Sequence, residues 1–281
     1  MKAAPFAYHR VATVPDALER LSELGEDAKV LAGGQSLVPM MNFRLARPSA
    51  LVDITRVGEL RGIERSNGSL RVGALTTHAA VERGRELDGG YEILRRAAAW
   101  IGHGPIRSRG TFGGSLAHAD PAAEWCVLAV ALDATVEIAG PRGERALPAE
   151  EFLLGYLTTA LGPDELVRAV RFPRPCPRAA ILELARRGGD FAVVVVAAAL
   201  PAAGPPRIVV GGVDQVPVRA SEAERVVADG GLAAESFADA GRAAAAEIEP
   251  ISDIHGSAEY RRRLTAALVA RALAAAVENG G

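Results

Sequence analysis

The chain has 281 residues, 49% of them hydrophobic and 23% charged, and a formal net charge of −2. That is the composition of a globular protein with ample core volume, and its near-neutral charge gives no electrostatic reason to expect a nucleic-acid partner. Its two cysteines, Cys126 and Cys176, are too few for a four-cysteine iron–sulfur cluster, and its longest apolar run, Phe191 to Leu200, is far short of the ~20 residues that cross a bilayer.

Pro15 to Leu24 reads as an amphipathic helix with proline in its first turn. Lys29 to Ala32 reads as a short buried strand that runs into the loop Ala32-Gly33-Gly34-Gln35-Ser36. Leu51 to Ile54 is a further strand, and the order strand–helix–strand–loop–strand implies a small α/β unit. A second unit begins near Gly58. Its expected elements are a strand at Ser69 to Ala74, a helix capped by Thr77 and reaching Val81, and a helix at Tyr91 to Ile101. After a second glycine loop come a helix at Ala122 to Ala131 and strands at Ala134 to Ile138 and Glu165 to Phe172, with Pro141-Arg142-Gly143 as a turn.

Three prolines within Pro173-Arg174-Pro175-Cys176-Pro177 forbid regular helix and mark a domain boundary. Beyond it, Phe191 to Leu200 contains four consecutive valines and reads as a buried strand. Arg207 to Gly212 is a second strand, followed by alanine-rich helices, the last at about Ala258 to Val277. Neither cysteine has metal-site spacing, and both read as apolar fillers or surface thiols. Without a disulfide framework or a signal-peptide pattern, the cytoplasm is the expected compartment.

The chemistry concentrates in the two glycine loops, Ala32 to Ser36 and Thr111-Phe112-Gly113-Gly114-Ser115. Adjacent glycines let a backbone approach a ligand, and successive N–H groups can then hold an anion. Neither loop fits the GxGxxG or GK[ST] phosphate motifs. Two such loops, alike in form, are expected to supply main-chain amides to one elongated, phosphate-bearing cofactor. Between Trp100 and Glu124 lie five glycines, Arg107, Arg109, His103, His118, Asp120 and Glu124, an unlikely passive connection. Thr111 and Ser115 offer hydroxyls. Glu124 opens a helix and suits either sugar hydroxyls or the helix dipole. His103 and His118 are read as loop-stabilising or cofactor-bonding residues, and His9, His78 and His255 as ordinary surface or structural ones. Arg107 and Arg109 suit a diphosphate or a subunit interface.

The segments AGGQSLVPMMNFRL and IGHGPIRSRGTFGGSLAHADPAAEW, taken together, resemble the FAD-binding medium subunit of the molybdenum hydroxylases. The nearest branch is that of the aerobic carbon monoxide dehydrogenases, and the family includes the flavin domain of xanthine dehydrogenase. The resemblance runs the whole length of the chain. It implies an α+β chain whose two-subdomain FAD-binding fold is of the vanillyl-alcohol oxidase/xanthine dehydrogenase flavoprotein type. A C-terminal α+β domain with a three-stranded antiparallel sheet and helices would follow. The expected division is residues 1–176, with subdomains of about 1–57 and 58–176, and a carbon monoxide dehydrogenase flavoprotein-like domain at 177–281.

By the same resemblance, Lys29, Val30, Leu31, Ala32, Gly33, Gly34, Gln35, Ser36 and Leu37 match the loop that wraps the pyrophosphate. Thr111, Gly114 and Ser115 match the second loop, and Ile101 and Glu124 match flanking contacts. Leu166 matches a position near the flavin, while Asp190 and Phe191 match the segment that crosses one face of the ring. Phe191 departs from relatives with tyrosine or an aliphatic residue there, but keeps an aromatic face for packing. Relatives that attach flavin covalently carry histidine where this chain has Gln35, so the FAD is expected to be non-covalent.

The resemblance assigns no catalytic residue and no metal to this chain. A large subunit would carry the molybdenum–pterin and a small one the 2Fe–2S clusters, in a dimer of heterotrimers without an integral membrane segment. Electrons would pass from the clusters through FAD to an external acceptor. Two alternatives stand beside this expectation. One is a stand-alone FAD-dependent oxidase or monooxygenase with its own small substrate, and the other is an assembly subunit that holds FAD structurally.

Overall fold

The computed structural model describes residues 2–280. The first unit contains β1 (Ala7–Arg10), α1 (Val14–Leu24), β2 (Ala28–Leu31), α2 (Leu37–Asn42) and β3 (Ala50–Asp53). Its strands form a parallel sheet of order β1-β3-β2, with β3 central and buried along its whole length. α1 starts where Thr13 accepts a hydrogen bond from the Asp16 amide, and it buries Val14, Ala17 and Leu21. The helix thus closes one face of a sheet whose β2 end feeds directly into Gly33 and Gly34.

The second unit contains β4 (Ile63–Ser66), β5 (Ser69–Gly73), α3 (His78–Arg83), α4 (Glu92–Ala98), α5 (Gly104–Arg107), α6 (Phe112–His118) and α7 (Glu124–Ala131). It continues with β6 (Thr135–Gly140), β7 (Gly143–Pro148), α8 (Ala149–Phe152), β8 (Leu153–Gly155), β9 (Thr158–Thr159) and β10 (Leu166–Phe172). Five of its strands make an antiparallel sheet of order β4-β5-β10-β6-β7, and β8 pairs with β9 in a separate small hairpin. β4 and β5 are joined by Asn67 and Gly68, both at positive φ, the pair a two-residue hairpin turn requires. Thr77 caps α3 by accepting from the Ala80 amide, but the helix runs two residues past the expected Val81. α4 stops at Ala98, short of the expected Ile101, and the chain then turns through Gly102 at positive φ.

The third unit holds β11 (Ala179–Ala185), β12 (Ala192–Ala199), β13 (Arg207–Gly211) and β14 (Val218–Arg219), then α9 (Ser221–Gly230), α10 (Ala234–Glu247) and α11 (Ala258–Asn279). The antiparallel sheet expected with three strands has four, because the two-residue β14 adds an edge beside β13.

β12 is the hinge of the architecture in a packing sense. All eight of its residues are buried. Side chains alternate along a strand, so Val195, Ala197 and Ala199 join the core around α7, while Val194, Val196 and Ala198 join the core beneath α9 to α11. This accounts for the valine run: a strand covered on both faces has no polar positions. α7 is the matching helix, buried over every residue from Glu124 to Ala131. Trp125 in α7 stacks on Phe112 at 4.5 Å, and Phe112 meets Phe172 edge-on at 6.1 Å. These rings fix the second glycine loop to the central sheet.

Candidate functional site: a cleft between two glycine loops

The two glycine loops meet. A Cβ on Gly33 would overlap the Arg109 carbonyl oxygen and lie 2.8 Å from the Gly110 Cα. A Cβ on Gly114 would lie 3.8 Å from the Ala32 Cβ. Only glycine at position 33 allows this approach of backbone to backbone. Gly34 follows at φ 70°, which turns the chain back toward α2.

The loops wall a cleft of about 500 Å³. From the first unit, Lys29, Val30, Ala32, Gly33, Gly34, Gln35, Ser36 and Leu37 line it. The second contributes Ile101, Thr111, Gly114, Ser115, Glu124 and Leu166, and the third contributes Asp190 and Phe191. Leu31 alone of the expected positions stands outside this wall. Its side chain instead lies 3.1 Å from where a Gly34 Cβ would be, so it props the loop from behind. The sequence reading missed several wall residues, among them Met40, Leu157 and Leu161. Leu157 sits in a loop at φ 52°, and its amide bonds the Ala119 carbonyl at 3.2 Å. Nothing local in the sequence signals that long-range contact.

The loops differ in what they offer. Among the described residues, the amides of Gly33, Gly34, Gln35 and Ser36 donate to no protein acceptor, so this turn presents a row of free N–H groups. The expectation of equivalent amides from the second loop fails. Phe112 N bonds Thr76 O, Gly113 N bonds Ala74 O, Ser115 N bonds Thr111 O, and Gly114 N bonds Thr111 Oγ1 at 3.2 Å. Those amides are consumed in capping α6 and anchoring it to the segment just past β5. What remains there for a ligand is the Ser115 hydroxyl and a surface free of Cβ at Gly114.

His78 is a structural residue, as expected, but one lodged in the interior. It is 5% exposed, accepts a 2.9 Å hydrogen bond at Nδ1 from Trp125 Nε1, and backs the second loop at Gly110. Burial, with a smaller contribution from Arg107, pushes its imidazole down to about 4, so it is neutral. Arg107 does not face the cleft. Its guanidinium donates to Glu82 at 3.0 Å and to the Gly102 carbonyl at 3.0 Å, pinning the loop before α5.

A buried acidic cluster borders the cleft, with Glu124 and Asp120 among its lining residues and Glu183 close to Glu124 but outside the lining. Glu124 is 8% exposed. Burial, reinforced by Glu183 and Asp120, pushes its carboxyl up to about 8. Burial likewise raises Glu183 to about 7, and one of its oxygens is enclosed without a hydrogen-bond partner. Asp120 is raised by burial, and His118 is lowered by burial against the opposing effect of Asp120. Held neutral, the Glu124 carboxyl can donate as well as accept.

The free amides of Gly33 to Ser36, the Ser115 hydroxyl and the exposed Phe191 ring border one cleft and suit a long ligand that carries both an anionic group and a flat aromatic system. The glycine cradle and the apolar walls fit a flavin dinucleotide, in a fold that is not the Rossmann type. The sequence comparisons agree. Residues 4–175 match the family described as FAD binding domain in molybdopterin dehydrogenase, and residues 179–276 match the CO dehydrogenase flavoprotein C-terminal domain. The chain belongs to this family of FAD-binding subunits of molybdenum hydroxylases.

Among its relatives is the 6-hydroxypseudooxynicotine dehydrogenase complex subunit alpha of Paenarthrobacter nicotinovorans, 41% identical over 99% of this chain and 96% of that one. The carbon monoxide dehydrogenase medium chain of Afipia carboxidovorans is 36% identical over 95% of each. Among solved structures, quinoline 2-oxidoreductase from Pseudomonas putida 86 superposes with a TM-score of 0.95 at 37% identity, covering 100% of both chains. Carbon monoxide dehydrogenase from Hydrogenophaga pseudoflava gives 0.95 at 35% identity over 99% of both. The chain is therefore an FAD-carrying subunit of an oxidoreductase complex, and these relatives favour that reading over a stand-alone oxidase. Among the described residues, no helix is long and apolar enough to cross a membrane.

Proposed function

We propose that this chain holds FAD non-covalently in the cleft between its glycine loops and serves as the electron-exit subunit of a molybdenum hydroxylase. Bound there, FAD would supply electron transfer between the 2Fe–2S clusters of a small partner and an external acceptor. The residues of this chain bind, orient and shield. The amides of Gly33 to Ser36 hold the diphosphate, and Gly114 and Ser115 complete its cradle. Glu124 meets sugar hydroxyls. Leu166 would lie near the ring, Asp190 and Phe191 would cross one of its faces, and Ile101 would be a flanking contact, with Lys29 to Leu31 as the stem of the first loop.

The single observation that carries this reading is the contact of Gly33 with Arg109 and Gly110. It brings two loops from distant parts of the chain to one cleft. A large molybdenum–pterin subunit completes the complex, as a cytoplasmic dimer of heterotrimers, and the chain divides at residue 176 into its cofactor-binding and C-terminal domains. Relatives named as medium chains or complex subunits support a multi-subunit assembly.

The purified chain is expected to be yellow, and acid precipitation is expected to release FAD into the supernatant. Colour retained by the precipitate would overturn non-covalent attachment, and a chain that takes up no FAD would overturn the cofactor itself. Co-expression with the two partner chains tests the assembly through the mass of the purified complex.

A further inference from the structure

Two stretches far apart in sequence press together at the mouth of the cleft. Gly189 lies at φ 86° in the turn between β11 and β12. A Cβ on it would sit 2.5 Å from His103 Cε1, 2.7 Å from His103 Nδ1 and 3.1 Å from the Gly102 carbonyl carbon. The turn is closed by the Asp190 amide on the Arg187 carbonyl at 3.2 Å, and it leads straight to Phe191, which is 60% exposed on the cleft wall. On the other side, His103 occupies the N-cap position of α5, and Arg107 holds the carbonyls of Ile101 and Gly102 from within the same turn. The backbone that carries His103 is thus pinned from its own side, and the glycine turn lies against the imidazole.

We infer that His103 is a positioning residue: its ring docks the Arg187–Phe191 turn across the cleft mouth and sets how far Phe191 covers the flavin. The inference rests on the reading of the cleft as the FAD site. It assigns His103 a task in shielding, through Gly189, and none in proton transfer. The physical basis is packing of a flat ring on a residue with no side chain. A planar replacement preserves that contact, and a small one abolishes it.

Iodide quenching of bound-FAD fluorescence and the rate of FAD release, followed by visible circular dichroism, read the cover directly. His103→Ala is expected to raise the quenching constant or the release rate about fivefold, the ratio that loss of one modest contact produces, while His103→Phe stays within about twofold of the unmodified chain. Gly189→Ala drives a Cβ into the imidazole and is expected to act in the same direction. The strain of alanine at positive φ is common to both backgrounds, so Gly189→Ala should act less on His103→Ala than on the unmodified chain. Unchanged quenching and release in His103→Ala with full FAD content would overturn the inference. So would equal defects in His103→Ala and His103→Phe, or additive effects of His103→Ala and Gly189→Ala. Failure of the unmodified chain to bind FAD would instead overturn the cofactor reading.

Discussion

Gly33 and Arg109 lie 76 positions apart in sequence and in different subdomains, yet the backbone of one rests on the carbonyl of the other. Their contact joins the parallel sheet of the first unit to the antiparallel sheet of the second and leaves the cleft between them. Gly33→Ala therefore must move one loop away from the other. The expected outcome is a chain with native far-ultraviolet circular dichroism and at least tenfold weaker FAD retention, about 1.4 kcal/mol or more, checked by the ratio of visible to protein absorbance. Full flavin content in the variant would count against the site.

Thr111 spends its side chain on the Gly114 amide and starts α6. Thr111→Ala is expected to cost about 1 kcal/mol of stability, as loss of an N-cap does, and to loosen FAD as the loop frays. Thr111→Ser keeps the acceptor and should keep both properties. Equal melting curves for the alanine and serine variants would show that the cap contributes nothing.

The acidic wall gives the chain a pH dependence of definite sign. Glu124 and Glu183 titrate at about 8 and about 7 in the folded chain, against an ordinary value of 4.5. Between that ordinary value and the raised ones, the folded chain holds protons that the unfolded chain has released. Stability from this pair therefore falls as pH rises through the window and levels off above it. Asp120 and His118, the neighbouring titratable groups, line the cleft with Glu124. Glu124→Gln removes much of the slope and is expected to raise the melting midpoint above pH 8 by about 2–4 °C, with little change at pH 5. Parallel pH profiles for the two proteins would contradict the assignment.

Trp125 supplies the donor for the Nδ1 of a neutral, buried His78. Trp125→Phe keeps an aromatic ring against Phe112 but leaves that nitrogen without a partner. A loss of about 1–3 kcal/mol is expected, read as a lower urea midpoint with an unchanged slope. An unchanged midpoint would mean that water replaces the indole.

Much of this was legible because local chemistry and long-range structure agree. The helix at Pro15 to Leu24, the valine strand and the two glycine loops each carry a signal in their own residues. The expected wall positions from Lys29 to Phe191, Leu31 excepted, line one cleft. The fine division of labour between the loops was not legible. The Gly114 amide is taken by the Thr111 side chain, and the Phe112 and Gly113 amides by the Thr76 and Ala74 carbonyls just past β5, contacts that composition does not encode. β11 escaped the residue-by-residue reading because its pattern is weak, Ala179-Ala180-Ile181-Leu182-Glu183 giving no alternation. β4 and β5 did carry a signal, the Asn67-Gly68 pair, and the hairpin was missed by not using it. The sequence left His78 as either a surface or a structural residue, because a single histidine on a short helix does not reveal its burial.

The two-faced character of β12 has a consequence for how such a chain can change over time. Because the same strand closes the core of the flavin half and the core of the C-terminal half, neither half is a detachable module that recombination can swap intact. A replacement C-terminal half would have to bring its own Val195, Ala197 and Ala199 in register with an unfamiliar α7.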